Sequence, residues 1–488
     1  MQMFPELRAH KAQFGAIVGY GFFINAVVGA GFLSIPYAYQ RGGWVLALGL
    51  EVTAILLGLL LSYMTLEITS RVASINALRR QGVVIPSVSL RNLVSRTPIL
   101  DPLLERRIPT PQLTQQQYDV SHLVYVCLGR VWSYIYIAAL CVVFLGSLVA
   151  YTSTFGTSFV SNVPLGRLST CDVYDDPSFG GNCRWKYMVY VGVFGVGMVY
   201  FTFVGLKKQW WMQMIFTFMR FLVVALVVSC CAYAIASRTH LDNDQTFDPL
   251  MPPLADFSHL GSVFSILLFS CLYQTNIPSI AVHIRNKKRN LPLIMQAVTV
   301  TLLLVYVPLG LVASTAVPDL NSMVTLAFRH YTAGTASPHS WTYLVEYVVI
   351  LFPALDVFSV FPIMAITLAD NITALLYGRS SKDLGTRVLP KQRQLTVRMC
   401  VCVPPLLISL LEYDLGVILS WAGLCSFLVV PFILPLSLVA ARKILPVADP
   451  YRVPCPDVRC KQWAALLLSG AVVPVLLAMV YFNLHSHV

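Results

Sequence analysis

Apolar runs of roughly twenty residues recur along this chain, each long enough to cross a bilayer core as a helix. Lipid offers no partner to backbone N–H and C=O groups, so such a run satisfies them within its own helix. The runs at 14–38, 44–69, 131–160, 187–206, 210–236, 258–283, 292–317, 341–376, 395–412, 415–440 and 463–484 predict about eleven transmembrane helices, numbered here as spans 1 to 11. Of 488 residues, 57% are hydrophobic and 11% charged, where a soluble domain carries about a quarter charged. Such a chain cannot cover itself with polar side chains. It reads as one all-α polytopic membrane domain over residues 1–488, held in a lipid bilayer.

The net charge of +12 does not indicate nucleic acid, because the basic residues sit in short clusters between apolar runs. With the N-terminus in the cytosol, the cytosolic segments hold 26 Lys and Arg and the opposite segments hold 6. That split predicts a cytosolic N-terminus and an extracellular or lumenal C-terminus. The polar N-terminal residues run straight into span 1, which has no cleavage site behind it and reads as a retained segment. The stretch 71–120 is expected to be a mobile cytosolic loop, and 161–186 an outer one. Most of the twelve cysteines lie in apolar spans and read as small hydrophobes. Cys171 and Cys183 share the outer loop, where an oxidising compartment would join them in a disulfide.

Span 1 contains its own breaker. In "FINAVVGAGFLSIPYAY", Asn25, Gly29, Gly31, Ser34 and Pro36 fall near the middle of the bilayer. Two glycines lower helix propensity and bare the backbone. Close packing through small residues is one reading of the Gly-Ala-Gly step. Asn25 one turn before and Pro36 one turn after favour a break, tolerated only where it lines a protein cavity. N–H groups of the second half-helix, starting near Phe32, would suit a carboxylate. Carbonyls of the first, ending near Val28, would suit a small cation together with Asn25. Span 6 carries the matching interruption, Tyr273, Gln274, Thr275 and Asn276 followed by Pro278. Paired interruptions five spans apart point to a midplane substrate site formed by Gly29, Ala30, Gly31 and Tyr273 to Asn276.

Charges inside the spans add a second group. Asp356 lies midway along span 8 and Arg220 halfway along span 5, so they can serve ion coupling or form a structural pair. Ser359, one turn after Asp356, is a candidate to join Asn25 around Na+; no other metal site is expected. Glu51 and Glu67 fall towards the ends of span 2 and are expected to reach the interfaces.

The motifs "NAVVGAGFLSIPYAYQRGGW" and "YDVSHLVYVCLGRVW" resemble those of the amino acid/auxin permease family. "MPPLADFSHLGSVFS", "NIPSI" and "FPIMAITLADN" are most similar to its transmembrane protein 104 group. The resemblance implies two inverted five-helix repeats, spans 1–5 and 6–10, plus one extra helix. It implies H+- or Na+-coupled amino acid transport, with the backbone at Gly29, Ala30 and Gly31 holding the substrate carboxylate and Asn25 near sodium. The chain departs from many relatives at Thr275, where they carry a histidine, which weighs against proton coupling through that position.

The leading expectation is a secondary active symporter of amino acids working by alternating access, without a cofactor, in the plasma membrane or an endomembrane. An amino acid sensor with the same pocket and little net flux is the alternative. A membrane-embedded enzyme would need catalytic residues; no HExxH, GxSxG or paired membrane aspartates occur.

Overall fold

The computed structural model describes residues 14–81, 113, 120–165, 171, 173–174, 182–204, 210–241, 251–335, 339–377, 391–447 and 449–451. Span 11 and most of the 71–120 segment lie outside the described residues. Among the described residues there is no β-strand, only an isolated bridge between Phe14 and Ile284.

Span 1 is two half-helices, α1 (Ala16–Val27) and α2 (Ile35–Gly42), bent by 51° at the break. Gly43 then turns the chain with φ +81°, a left-handed conformation that suits glycine. Span 2 is α3 (Trp44–Arg80), which runs on well past its expected end near residue 69. A short buried helix, α4 (Val120–Leu128), precedes α5 (Arg130–Asn162), which is span 3. Spans 4 and 5 are α6 (Asn182–Val204) and α7 (Trp210–Ser237). Span 6 is again divided, into α8 (Leu260–Cys271) and α9 (Ile277–Ala281). Spans 7 to 10 are α10 (Lys287–Ala316), α11 (Ser340–Tyr377), α12 (Lys391–Ser409) and α13 (Leu415–Ile444). All four of these contain internal prolines, which membrane helices tolerate when neighbours satisfy the freed carbonyls.

The packing repeats with an offset of five spans. Span 1 packs on spans 5 and 7, and span 6 on spans 10 and 2. Span 3 packs on spans 4, 8 and 9, and span 8 on spans 9, 3 and 4. This reciprocity is what two inverted five-helix repeats require, with the broken helix of each repeat against the other's second helix.

Spans 3, 4 and 8 interlock through stacked and edge-on rings: Phe155 lies 4.6 Å from Phe194 and 5.4 Å from Phe358, and Phe194 lies 5.3 Å from Phe361. Such pairs add about 0.5–1.5 kcal/mol each beyond their burial. Cys171 and Cys183 are joined in a disulfide that ties the segment after α5 to the start of α6.

Glu51 and Glu67 do not reach the interfaces; both are 0% exposed, because other spans close around α3. Glu67 accepts from Arg71 at 3.0 Å and from Arg442 at 2.6 Å, and the Arg71 side chain also donates to the Leu445 carbonyl. This buried cluster fastens the end of α3 to the end of α13.

Candidate functional site

The break in span 1 follows from its residues. After Val27 the helix stops; Gly29 adopts φ −91° and ψ −145°, and a 3₁₀ turn covers Ala30–Ser34. Helix resumes at Ile35 with Pro36 in the first turn, where a missing N–H costs nothing. Both glycines allow close approach. A Cβ on Gly29 would stand 2.8 Å from the Tyr151 hydroxyl oxygen of α5. One on Gly31 would meet Ser270 of α8 at 2.6 Å from Oγ and 3.1 Å from Cα.

Span 6 breaks in the same manner. Leu272 is extended (φ −90°, ψ 124°), Gln274–Asn276 form a 3₁₀ turn, and α9 begins with Pro278 in its first turn. The two interruptions lie side by side: Gly31 packs on Ser270, and the Phe23 and Tyr273 rings meet edge to face at 6.1 Å. Tyr273 points towards Ser62 and Thr299, against spans 2 and 7. Gln274 is buried, and its Oε1 has no hydrogen-bond partner among the described residues. Asn276 is buried beside it and Thr275 is half-buried. Ala30 is buried within the span 1 turn.

The charged candidates converge on the last helical turn before the span 1 break. Asn25 Oδ1 accepts from Thr217 Oγ1 at 2.8 Å and from Arg220 Nη1 at 3.0 Å. The other arm of the Arg220 guanidinium pairs with Asp356. Ser359 donates to the backbone carbonyl of Asp356 at 2.8 Å. A single buried guanidinium thus links spans 1, 5 and 8, at the place where the sequence suggested a small cation. Asp356 Oδ1 and Arg220 Nε have no hydrogen-bond partner among the described residues.

Span 3 supplies a wall that the sequence reading missed. Tyr151, Thr154, Ser158 and Ser161 follow helical spacing on one face of α5 and are all buried. The hydroxyls of Thr154, Ser158 and Ser161 have no hydrogen-bond partner among the described residues. Buried orphan hydroxyls are costly in an apolar interior, so this stripe is suited to water or a polar ligand. The signal was present as "YTSTFGTS", a run of small hydroxyl residues inside an apolar span.

Paired broken helices in an inverted repeat, with polar groups converging between them, are an arrangement found in helical membrane transporters. The family described as "Transmembrane amino acid transporter protein" matches residues 103–444, and the chain belongs to that family. It is 24% identical over 471 residues to transmembrane protein 104 of Homo sapiens, covering 90% of this chain and 89% of that one. The homologue in Drosophila melanogaster is 24% identical over 474 residues, covering 87% of each. Among solved structures, the crystal structure of MhsT in complex with L-phenylalanine matches with TM-score 0.52 and 12% identity, over 96% of this chain and 99% of that one. At that identity the match shows the fold, which is the LeuT type.

Proposed function

We propose that this protein is a secondary active amino acid symporter, coupled to an ion gradient and working by alternating access, with its N-terminus in the cytosol. The observation that carries this reading is the contact between the two helix breaks. Backbone N–H groups of the Ala30–Ser34 turn, Gln274 Oε1 and the span 3 hydroxyls together offer what an amino acid needs: donors for its carboxylate and acceptors for its ammonium group. Family membership, and a fold shared with a structure holding L-phenylalanine, support an amino acid substrate.

Of the two coupling ions, H+ is the better supported. The guanidinium of Arg220 already places a fixed positive charge between Asn25 and Asp356, where Na+ would otherwise be held. The aromatic interlock of spans 3, 4 and 8 favours a stiff frame, against which spans 1, 2, 6 and 7 rock.

Uptake of a radiolabelled amino acid mixture into proteoliposomes, with inward proton or sodium gradients, tests this. Gradient-driven uptake that is lost in Gly29→Val and Gly31→Val is the expected result. Amino acid-dependent thermal stabilisation with no uptake under any gradient overturns the symporter in favour of a sensor.

A further inference from the structure

Four carboxyl side chains are buried among the described residues: Glu51, Glu67, Asp356 and Asp449. Glu67 is paired with Arg71 and Arg442, Asp356 with Arg220, and Asp449 lies 3.9 Å from Arg71. Of these four, Glu51 alone has no cationic partner among the described residues. Its Oε2 accepts from the Tyr39 hydroxyl, and its Oε1 has no hydrogen-bond partner among the described residues. An isolated carboxylate at this depth is costly in a way that a neutral acid is not.

We propose that Glu51 is the proton-binding carboxyl that couples transport. This rests on the symporter reading and names its ion and its site.

The position supports the role. Glu51 shares a face of α3 with Gly58 and Ser62, about two and three turns further along that stripe. A Cβ on Gly58 would lie 2.8 Å from the carbonyl oxygen of Cys271, the last residue before the span 6 break. Ser62 faces Tyr273, inside the break. Among the described residues, the titratable neighbours of Glu51 belong to a broken span or to span 7. Tyr39, on α2, is held flat against Gly310, where a Cβ would meet its ring at 2.6 Å. Cys271, on α8, lies within electrostatic range of Glu51. Tyr306, on α10, is within electrostatic range of Glu51, Cys271, Arg220 and Tyr151, and donates to the Ser270 carbonyl at 3.2 Å. Glu51 is hydrogen-bonded to α2 and lies beside the end of α8, the two half-helices that alternating access would move. Movement of α2 and α8 against α3 carries the carboxyl between a dry setting, in which it keeps its proton, and a wet one, in which it gives the proton up.

The test uses the full chain in proteoliposomes, with a radiolabelled amino acid mixture as probe. Two readouts are taken: accumulation driven by an inward proton gradient, and counterflow exchange without a gradient. One proton per substrate supports about tenfold accumulation per pH unit. Glu51→Gln is expected to lose that accumulation while keeping counterflow, which also certifies its fold, and Glu51→Asp is expected to restore part of it. Undiminished accumulation in Glu51→Gln overturns the assignment to Glu51 and leaves the symporter intact. Sodium-driven uptake by the wild type overturns the proton and keeps the carrier, and no uptake under any gradient overturns both. Should Glu51→Gln lose counterflow as well, labelling of the wild-type protein with a hydrophobic carbodiimide, to which a protonated acid in an apolar setting adds, decides the matter. A mapped adduct on Glu51 that the amino acid mixture suppresses supports the proposal; adducts elsewhere and none on Glu51 overturn it.

Discussion

Arg220 shows how much one side chain can organise here. It is 1% exposed and joins Asn25 on span 1 to Asp356 on span 8. Removing one partner of a buried pair strands the other charge, at a cost of about 3–5 kcal/mol, whereas removing both costs far less. Arg220→Met should therefore lower the melting temperature of the purified protein sharply, and adding Asp356→Asn should recover most of the loss. Gly29 offers a second residue-level test. In Gly29→Ala the new Cβ would stand 2.8 Å from the Tyr151 hydroxyl oxygen, an overpacking that costs about 1–3 kcal/mol. Adding Tyr151→Phe removes that oxygen and should return the melting temperature towards wild type. If it does not, the close contact at Gly29 is not what the glycine serves.

At the scale of elements, the breaks in spans 1 and 6 depend on local chain chemistry and were readable in the sequence. Gly29, Gly31 and the prolines at 36 and 278 act through their own backbones, and the structure interrupts both helices at those places. The turn after α5 depends on a cross-link instead. Closing a loop of 12 residues through Cys171–Cys183 contributes about 3 kcal/mol in the chain-entropy account. Thermal unfolding with and without reductant should show a wild-type protein weakened by reductant. A Cys171→Ser/Cys183→Ser variant should be equally weak in both conditions. The long α3 was not readable: its extension to Arg80 is held by Glu67, Arg71 and Arg442, which meet only in the fold.

For the whole molecule, that same cluster supplies a pH response. Asp449 lies beyond α13, and burial pushes its carboxyl up to about 6, against the attraction of Arg71. The folded protein then binds this proton more tightly than the unfolded chain, which titrates near pH 4. The contribution to stability is complete below about pH 4 and is lost as pH rises to about 6. Melting temperature measured across this window should fall in the wild type relative to Asp449→Asn; parallel curves would remove Asp449 as the cause. What the sequence determined by itself was the membrane class, the positions of ten described spans, the two breaks and the Cys171–Cys183 pairing. Each is written in apolar run length, backbone-specific residues or loop chemistry, which act over short distances along the chain. Only the tertiary structure decided which polar groups meet. Asn25 reaches Arg220 across 195 positions and Arg220 reaches Asp356 across 136, while Glu51 finds Tyr39 and sits beside the span 6 break. The physical reason is that lipid and protein interior are equally apolar. A membrane helix therefore carries little hydrophobic pattern to say which face turns inward, and the partners of a buried charge are fixed only when the helices pack.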